Sequence, residues 1–117
     1  MAAHVEVELD IFSGMPNPTW VLMNEEADSF LKQIAAAPRT SPRELAGNLG
    51  YRGFIVKVDR GAGAESIHVQ NGVIHISGGG PDVYAGDGKP ALERWLLNTG
   101  RPHLKSELFQ VAEREIR

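Results

Sequence analysis

The pattern of apolar and polar positions is clearest at the start of the chain. Apolar and acidic residues alternate there: Val5, Glu6, Val7, Glu8, Leu9, Asp10 and Ile11. Successive side chains of a β-strand point to opposite faces of its sheet, so this alternation predicts a strand with one buried and one solvated face. Burial on one face only favours an antiparallel or mixed sheet over a doubly wound parallel sheet.

A second pattern predicts a β-hairpin in the middle of the chain. Two alternating runs, residues 66–70 and 73–77, flank Asn71-Gly72. This dipeptide is preferred in two-residue type I′ turns, and a two-residue loop fixes the register of the strands that it joins. The register predicts that His68 lies opposite His75 on the polar face of the hairpin. The other face is apolar: Ile67, Val69, Ile74 and Ile76.

Helical spacing of apolar residues predicts three helices, over residues 24–37, 91–98 and 106–116, with Asn24 and Ser106 as N-caps. Ser41 and Glu44 have the spacing of a capping box and predict a short fourth helix. Residues 51–58 are rich in β-branched and aromatic side chains and predict a strand, whereas residues 20–22 predict a short extended segment. In the second of the long helices, Trp95 is expected in the core beside Leu92 and Leu96.

These elements predict an α+β fold. The expected sheet is antiparallel or mixed, has four to five strands, and carries helices packed mainly on its apolar face. The length of 117 residues fits a single domain, residues 1–117, which is large enough to bury a core without metal ions or disulfides.

Composition excludes several classes of function. Cysteine is absent, which excludes thiol catalysis, zinc–thiolate sites and disulfides. The formal net charge is −3 with acids and bases interspersed, which argues against nucleic acid as a partner. The sequence shows neither a secretory signal nor an apolar run of about 20 residues, so we expect a cytoplasmic protein without a membrane partner. No cofactor is expected.

The leading functional hypothesis rests on the proline-rich segment of residues 13–20. Pro16 and Pro18 stiffen this segment, and neither can donate a hydrogen bond within a sheet. A rigid loop that carries a large aromatic side chain makes a good contact surface, because little entropy is lost on binding. The sequence therefore predicts a non-enzymatic binding or protein-interaction module that uses Pro16, Asn17, Pro18 and Trp20. In the alternative interpretation Trp20 folds back onto the core.

The second hypothesis is a small enzyme, or a binder of anions or metal-bound ligands. It uses the glycine-rich segment of residues 78–89 together with a nearby histidine. Backbone amides of glycine-rich loops can approach an anion, although neither the P-loop pattern nor the dinucleotide-binding pattern is present. The candidate residues of this loop are Gly79, Gly80, Asp82, Tyr84 and Lys89. A plain connecting loop is the simpler interpretation.

The histidine pair predicted by the hairpin register is a candidate metal site. Two imidazoles on neighbouring strands, with Cβ atoms about 5 Å apart, have the spacing of transition-metal ligands. A third ligand could come from Glu6, Glu8 or Asp10 if the first strand lies beside the hairpin. The simpler interpretation is a solvated face with two ordinary histidines, so His68 and His75 are named as candidates without an assigned metal.

Three segments also carry a resemblance. They are Phe12-Ser13-Gly14-Met15-Pro16-Asn17-Pro18-Thr19-Trp20, Leu49-Gly50-Tyr51-Arg52-Gly53-Phe54 and Trp95-Leu96-Leu97. Together they resemble a set of small bacterial proteins of unknown function, and the chain also looks like a seroreactive Burkholderia antigen of unknown role. The resemblance covers about a fifth of the chain directly and implies no activity or site residue.

Overall fold

The structure is a computed structural model that describes residues 4–11, 16–42, 51–59, 61, 63–78, 80–88 and 91–116. Its strands are β1 His4–Leu9, β2 Thr19–Leu22, β3 Arg39–Thr40, β4 Phe54–Asp59, β5 Ala64–Gln70, β6 Val73–Ser77 and β7 Val83–Gly86. Its helices are α1 Asn24–Ala36, α2 Ala91–Thr99 and α3 Ser106–Glu115, and a 3₁₀ turn, Arg101–His103, lies between α2 and α3.

The described strands form one antiparallel sheet in the order β2-β1-β4-β5-β6-β7-β3. The predicted α+β class with an antiparallel sheet is confirmed. The predicted strand count is wrong, because the sheet has seven strands instead of four to five. The two strands that were not predicted are short. β3 has two residues, and β7 lies inside the glycine-rich segment that was expected to be a loop.

The hairpin is confirmed residue by residue. His68 pairs with His75, and Ile67 pairs with Ile76. Asn71 has φ 46° and Gly72 has φ 83°, the left-handed backbone that a type I′ turn requires at both central positions. Asparagine and glycine are the residues that adopt this conformation at the lowest cost, so the local sequence explains the turn.

The core lies between the inner face of the sheet and the helices. Alternating residues of the strands, such as Val7, Val56 and Ile67, are almost fully buried in it. Phe30 of α1, Leu96 of α2 and Phe109 of α3 belong to the same cluster. The helices therefore pack against one face, and the face that carries Glu8, His68 and His75 lies on the other side of the sheet. No helix among the described residues is long and apolar enough to cross a membrane.

Several local expectations need correction. The N-cap of α1 is Met23 and not Asn24, and the N-cap of α3 is Lys105 and not Ser106; neither cap makes a side-chain hydrogen bond. Trp95 is only partly buried, where it stacks on Phe30 with ring centroids 6.5 Å apart. The inner side of α2 is instead formed by four buried residues: Leu92, Glu93, Leu96 and Leu97. Most of the predicted short fourth helix falls on residues 43–50, outside the described residues.

Candidate functional site

A row of side chains crosses the outer face of the sheet from one edge to the other. Strand pairing places each member opposite the next: Thr19, Glu8, Ile55, His68, His75, Tyr84 and Thr40. We call this set the outer row. Because side chains alternate between faces, the members from Thr19 to Tyr84 point away from the core, which includes chain neighbours such as Trp20, Val7 and Ala85.

Within the outer row, His75 contacts an aromatic ring, and it also lies close to a carboxylate. Its imidazole stacks on the ring of Tyr84 with centroids 4.4 Å apart and ring planes 4° from parallel. Nε2 of His75 lies 3.2 Å from Oδ2 of Asp82, a close contact that is not a well-directed hydrogen bond. The side chains of His75 and Asp82 are 23% and 55% exposed, so this group is open to solvent on the side of Asp82.

His68 is held differently from His75. Its Nε2 lies 2.7 Å from the carbonyl oxygen of Arg52. A carbonyl can only accept, so Nε2 carries the proton and donates it. That nitrogen is consequently occupied, which leaves Nδ1 as the acceptor of the neutral ring.

The geometry does not assemble the metal site that the sequence suggested. β4 lies between β1 and β5, so the carboxylates of β1 are two strands, or about 10 Å, away from His68. The condition under which Glu6, Glu8 or Asp10 could supply a third ligand, a first strand beside the hairpin, is therefore not met. Within the described part of the chain, no group of three or more His, Asp or Glu side chains could hold a metal ion.

The end of the proline-rich segment is fastened to the outer face by Asn17. Its Oδ1 accepts a hydrogen bond from the backbone N–H of Ile11 at 3.1 Å. Its Nδ2 donates to Glu8 Oε2 at 2.8 Å and to Asp10 Oδ1 at 3.3 Å. Pro16 is exposed and Pro18 is half-buried beside it. Asn17 is thus a structural connection between this segment and β1.

A chain of polar contacts continues from Asn17 to the outer row. Arg52 donates to Asp10 Oδ1 from Nη2 at 2.8 Å and from Nε at 3.2 Å. The hydrogen bond to Asp10 raises the pKa of the Arg52 guanidinium above its ordinary value. Because the carbonyl of Arg52 accepts from His68, the proline-rich segment and the histidine pair belong to one contiguous polar network.

Trp20 lies on the opposite side of the sheet and is not exposed. Only 4% of the residue is accessible, its ring is stacked against His103, and its Nε1 donates to Thr99 Oγ1 at 3.0 Å. The alternative interpretation, in which Trp20 folds onto the core, describes the structure. Trp20 therefore offers no exposed anchor to a partner.

The glycine-rich segment contributes to the surface at Gly80 and Asp82, which are exposed, and at Tyr84. Gly80 has φ 136° and open space around it, and Gly78 has φ 100°. These backbone conformations are rare for residues with a side chain, which explains the glycines without a bound anion. Gly79 and Lys89 lie outside the described residues.

One buried polar cluster was not predicted. Glu93 of α2 is 0% exposed, accepts a hydrogen bond from the Tyr51 hydroxyl, and accepts another from the backbone N–H of Asn71 at 2.8 Å. Burial raises the pKa of Glu93, and burial together with the Glu93 charge raises the pKa of Tyr51. The sequence signal for this cluster is a glutamate in α2, Glu93, that stands between the apolar residues Leu92 and Leu96. The cluster lies in the core and not in the outer row.

Three concavities of about 260–280 Å³ lie along the helices, and none is lined by a member of the outer row. These three concavities therefore do not adjoin His75. No protein-family model, curated protein or solved structure matches the chain. Neither the resemblance nor the functional hypotheses are tested by these comparisons, and both stay predictions.

Proposed function

We propose that the protein is a non-enzymatic interaction module whose contact surface is the outer face of the sheet. The surface runs from Pro16 and Pro18 at one end to Tyr84 and Asp82 at the other. The observation that carries this proposal is the contiguity of Asn17, Asp10, Arg52 and His68, which joins the two segments singled out in the sequence. The described helices pack on the other face, so they leave this one accessible to a partner.

The charge of this face favours a cationic partner. Among the described residues, strand alternation and the contact of Asp82 with His75 place two strong bases, Arg52 and Lys57, on this face, together with five carboxylates: Glu6, Glu8, Asp10, Asp59 and Asp82. Arg52 is paired with Asp10, and Lys57 lies opposite Glu6. Glu8 and Asp82 have no Lys or Arg partner among the described residues.

Arginine fits this surface best. A guanidinium can form a bidentate pair with the exposed carboxylate of Asp82 and can stack on an aromatic ring such as that of Tyr84. His75 already supports the other side of that ring, so Tyr84 loses little freedom on binding. The proposed partner is therefore an arginine-containing segment of another protein.

The alternative function, a small enzyme or ligand binder that uses residues 78–89, is favoured by one observation. The contact of His75 with Asp82 resembles the pairing that orients a catalytic imidazole. A substrate would need a cavity beside His75, however, and the concavities described above lie elsewhere. We therefore rank this function second.

The test is an NMR titration of ¹⁵N-labelled protein with an eight-residue peptide of alternating glycine and arginine. A peptide of alternating glycine and glutamate is the control for peptide binding as such. The proposal expects shifts concentrated on His75, Tyr84 and Asp82, with little response to the glutamate peptide. Asp82→Asn should weaken binding by about tenfold, the effect of losing one charge-assisted pair.

The matched control is Asp28→Asn, because Asp28 is an exposed acid on α1, on the helical side of the molecule. It should leave the affinity unchanged. Shifts spread evenly over both faces, or equal losses in the two variants, would show general charge attraction and would count against the proposed surface. A titration with metal ions or nucleotides that moves only residues 78–88 would favour the second function instead.

A further inference from the structure

A concavity of about 270 Å³ lies where the 3₁₀ turn meets α3, away from the outer row. Six residues line it: Arg101, Leu104, Ser106, Phe109, Gln110 and Glu113. Ser106, Phe109, Gln110 and Glu113 are spaced three or four residues apart, so they share one face of α3. Leu104 and Phe109 are its two apolar lining residues, and the four polar or charged residues are called its rim.

The rim carries two opposite charges that do not neutralise each other. The guanidinium of Arg101 lies 4.1 Å from the centre of the Phe109 ring. Glu113 is one helical turn beyond Phe109, a rise of about 6 Å along α3. Neither Arg101 nor Glu113 forms an ion pair with the other, or with any other residue that the structure describes.

The 3₁₀ turn that carries Arg101 packs on the indole of Trp20. Gly100 packs directly on the indole of Trp20, and His103 stacks on the same indole with ring centroids 6.3 Å apart. The backbone N–H of His103 also donates to the carbonyl of Gly100 at 2.8 Å. The contact of the guanidinium with the Phe109 ring restricts the Arg101 side chain before binding, which lowers the entropy lost when a ligand arrives.

We propose that this concavity binds a free α-amino acid with an apolar side chain. The planar fork of Arg101 matches the α-carboxylate, and Glu113 lies where it can accept hydrogen bonds from the α-ammonium group. Leu104, which is half-buried at the concavity, then contacts the apolar side chain. The volume is slightly below the range of about 300–1,000 Å³ that is common for ligand pockets, which restricts the ligand to a small molecule.

The experiment is an NMR titration of the full chain with L-leucine to about 20 mM, a concentration that detects even millimolar affinity. The expected result is saturable shifts at Arg101, Phe109, Gln110 and Glu113. N-acetyl-L-leucine lacks the ammonium group and L-leucinamide lacks the carboxylate. Each should bind at least about tenfold more weakly if both charges are recognised.

Two variants and their matched controls complete the test. Arg101→Gln and Glu113→Gln should each weaken leucine binding by about tenfold. Lys32→Gln and Glu107→Gln remove the same charges from exposed positions outside the concavity and should have no effect. The proposal is overturned by the absence of saturable shifts, by equal binding of the three compounds, or by variants that bind leucine as the unchanged protein does.

Discussion

The indole of Trp20 occupies the space that a side chain at position 100 would need. A Cβ built on Gly100 would overlap the six-membered ring of Trp20. The same indole donates from Nε1 to Thr99 Oγ1, which in turn donates to the carbonyl of Leu96 at 2.6 Å. An edge strand of the sheet is thereby joined to the end of α2, and the glycine that ends this helix is required for packing.

Gly100→Ala is therefore expected to lower the free energy of unfolding by about 1–3 kcal/mol, because the added methyl group forces the indole out of its position. Gly63→Ala is the control, since a Cβ at Gly63 meets nothing within 4 Å. Its effect should stay within about 0.5 kcal/mol. Urea unfolding followed by fluorescence measures both changes, and similar losses in the two variants would contradict the contact described here.

The two tryptophans should differ in their contributions to stability. Trp20→Ala is expected to cost about 3–5 kcal/mol, the usual range for a buried tryptophan. Trp95 is only partly buried against Phe30, so Trp95→Ala is expected to cost less, about 1–3 kcal/mol. Urea denaturation of both variants ranks them directly. A larger loss for Trp95→Ala would show that the stack on Phe30 matters more than the burial of Trp20.

The parts of the fold that the sequence predicts are those in which a local rule acts alone. Asn71-Gly72 determines a type I′ turn, and the turn determines the pairing of His68 with His75. The alternation from Val5 to Leu9 likewise predicts which face of β1 is buried. Both signals depend only on neighbouring residues, so tertiary packing does not override them.

The elements and contacts that the sequence did not predict depend on segments that are distant along the chain. β7 has no alternating pattern and becomes a strand because β6 pairs with it, whereas β3 follows Pro38 and exists only as a two-residue partner of β7. The sequence also could not show that Trp20 packs on Gly100, 80 positions along the chain. The contiguity of the candidate surface depends in the same way on Arg52, whose side chain contacts Asp10, just after β1, and whose carbonyl contacts His68 of β5.

The carboxylate of Asp87 caps the start of α2. Its Oδ1 accepts from the N–H of Leu92 at 2.8 Å and its Oδ2 from the N–H of Glu93 at 3.0 Å, at the start of α2. Removal of such a cap typically costs about 1–2 kcal/mol. Asp87→Ala should show that loss in thermal or urea unfolding, whereas Asp28→Ala on the exposed face of α1 should stay near zero. Equal effects would indicate that the carboxylate of Asp87 does not stabilise α2.

The buried pair of Glu93 and Tyr51 predicts a pH-dependent contribution to stability. Burial raises the pKa of Glu93 in the folded state above its ordinary value of 4.5. Between these two pKa values the folded chain binds more protons than the unfolded chain, so the contribution of Glu93 to stability falls as the pH rises. The contribution of Glu93 to stability is fully present below pH 4.5, the ordinary pKa, and is lost as the pH passes through the raised pKa of the folded state.

Glu93→Gln keeps the shape of the side chain and its acceptor for the N–H of Asn71 but cannot ionise. The variant should therefore gain stability relative to the unchanged protein as the pH rises above 4.5, by at most about 1.4 kcal/mol per pH unit, and the difference should then level off. Urea unfolding at a series of pH values between about 4 and 8 measures this difference. Glu107→Gln, at an exposed position on α3, should show a difference that stays constant. A constant difference for Glu93→Gln as well would mean that the carboxylate remains ionised in the core and is stabilised there by Tyr51 and Asn71.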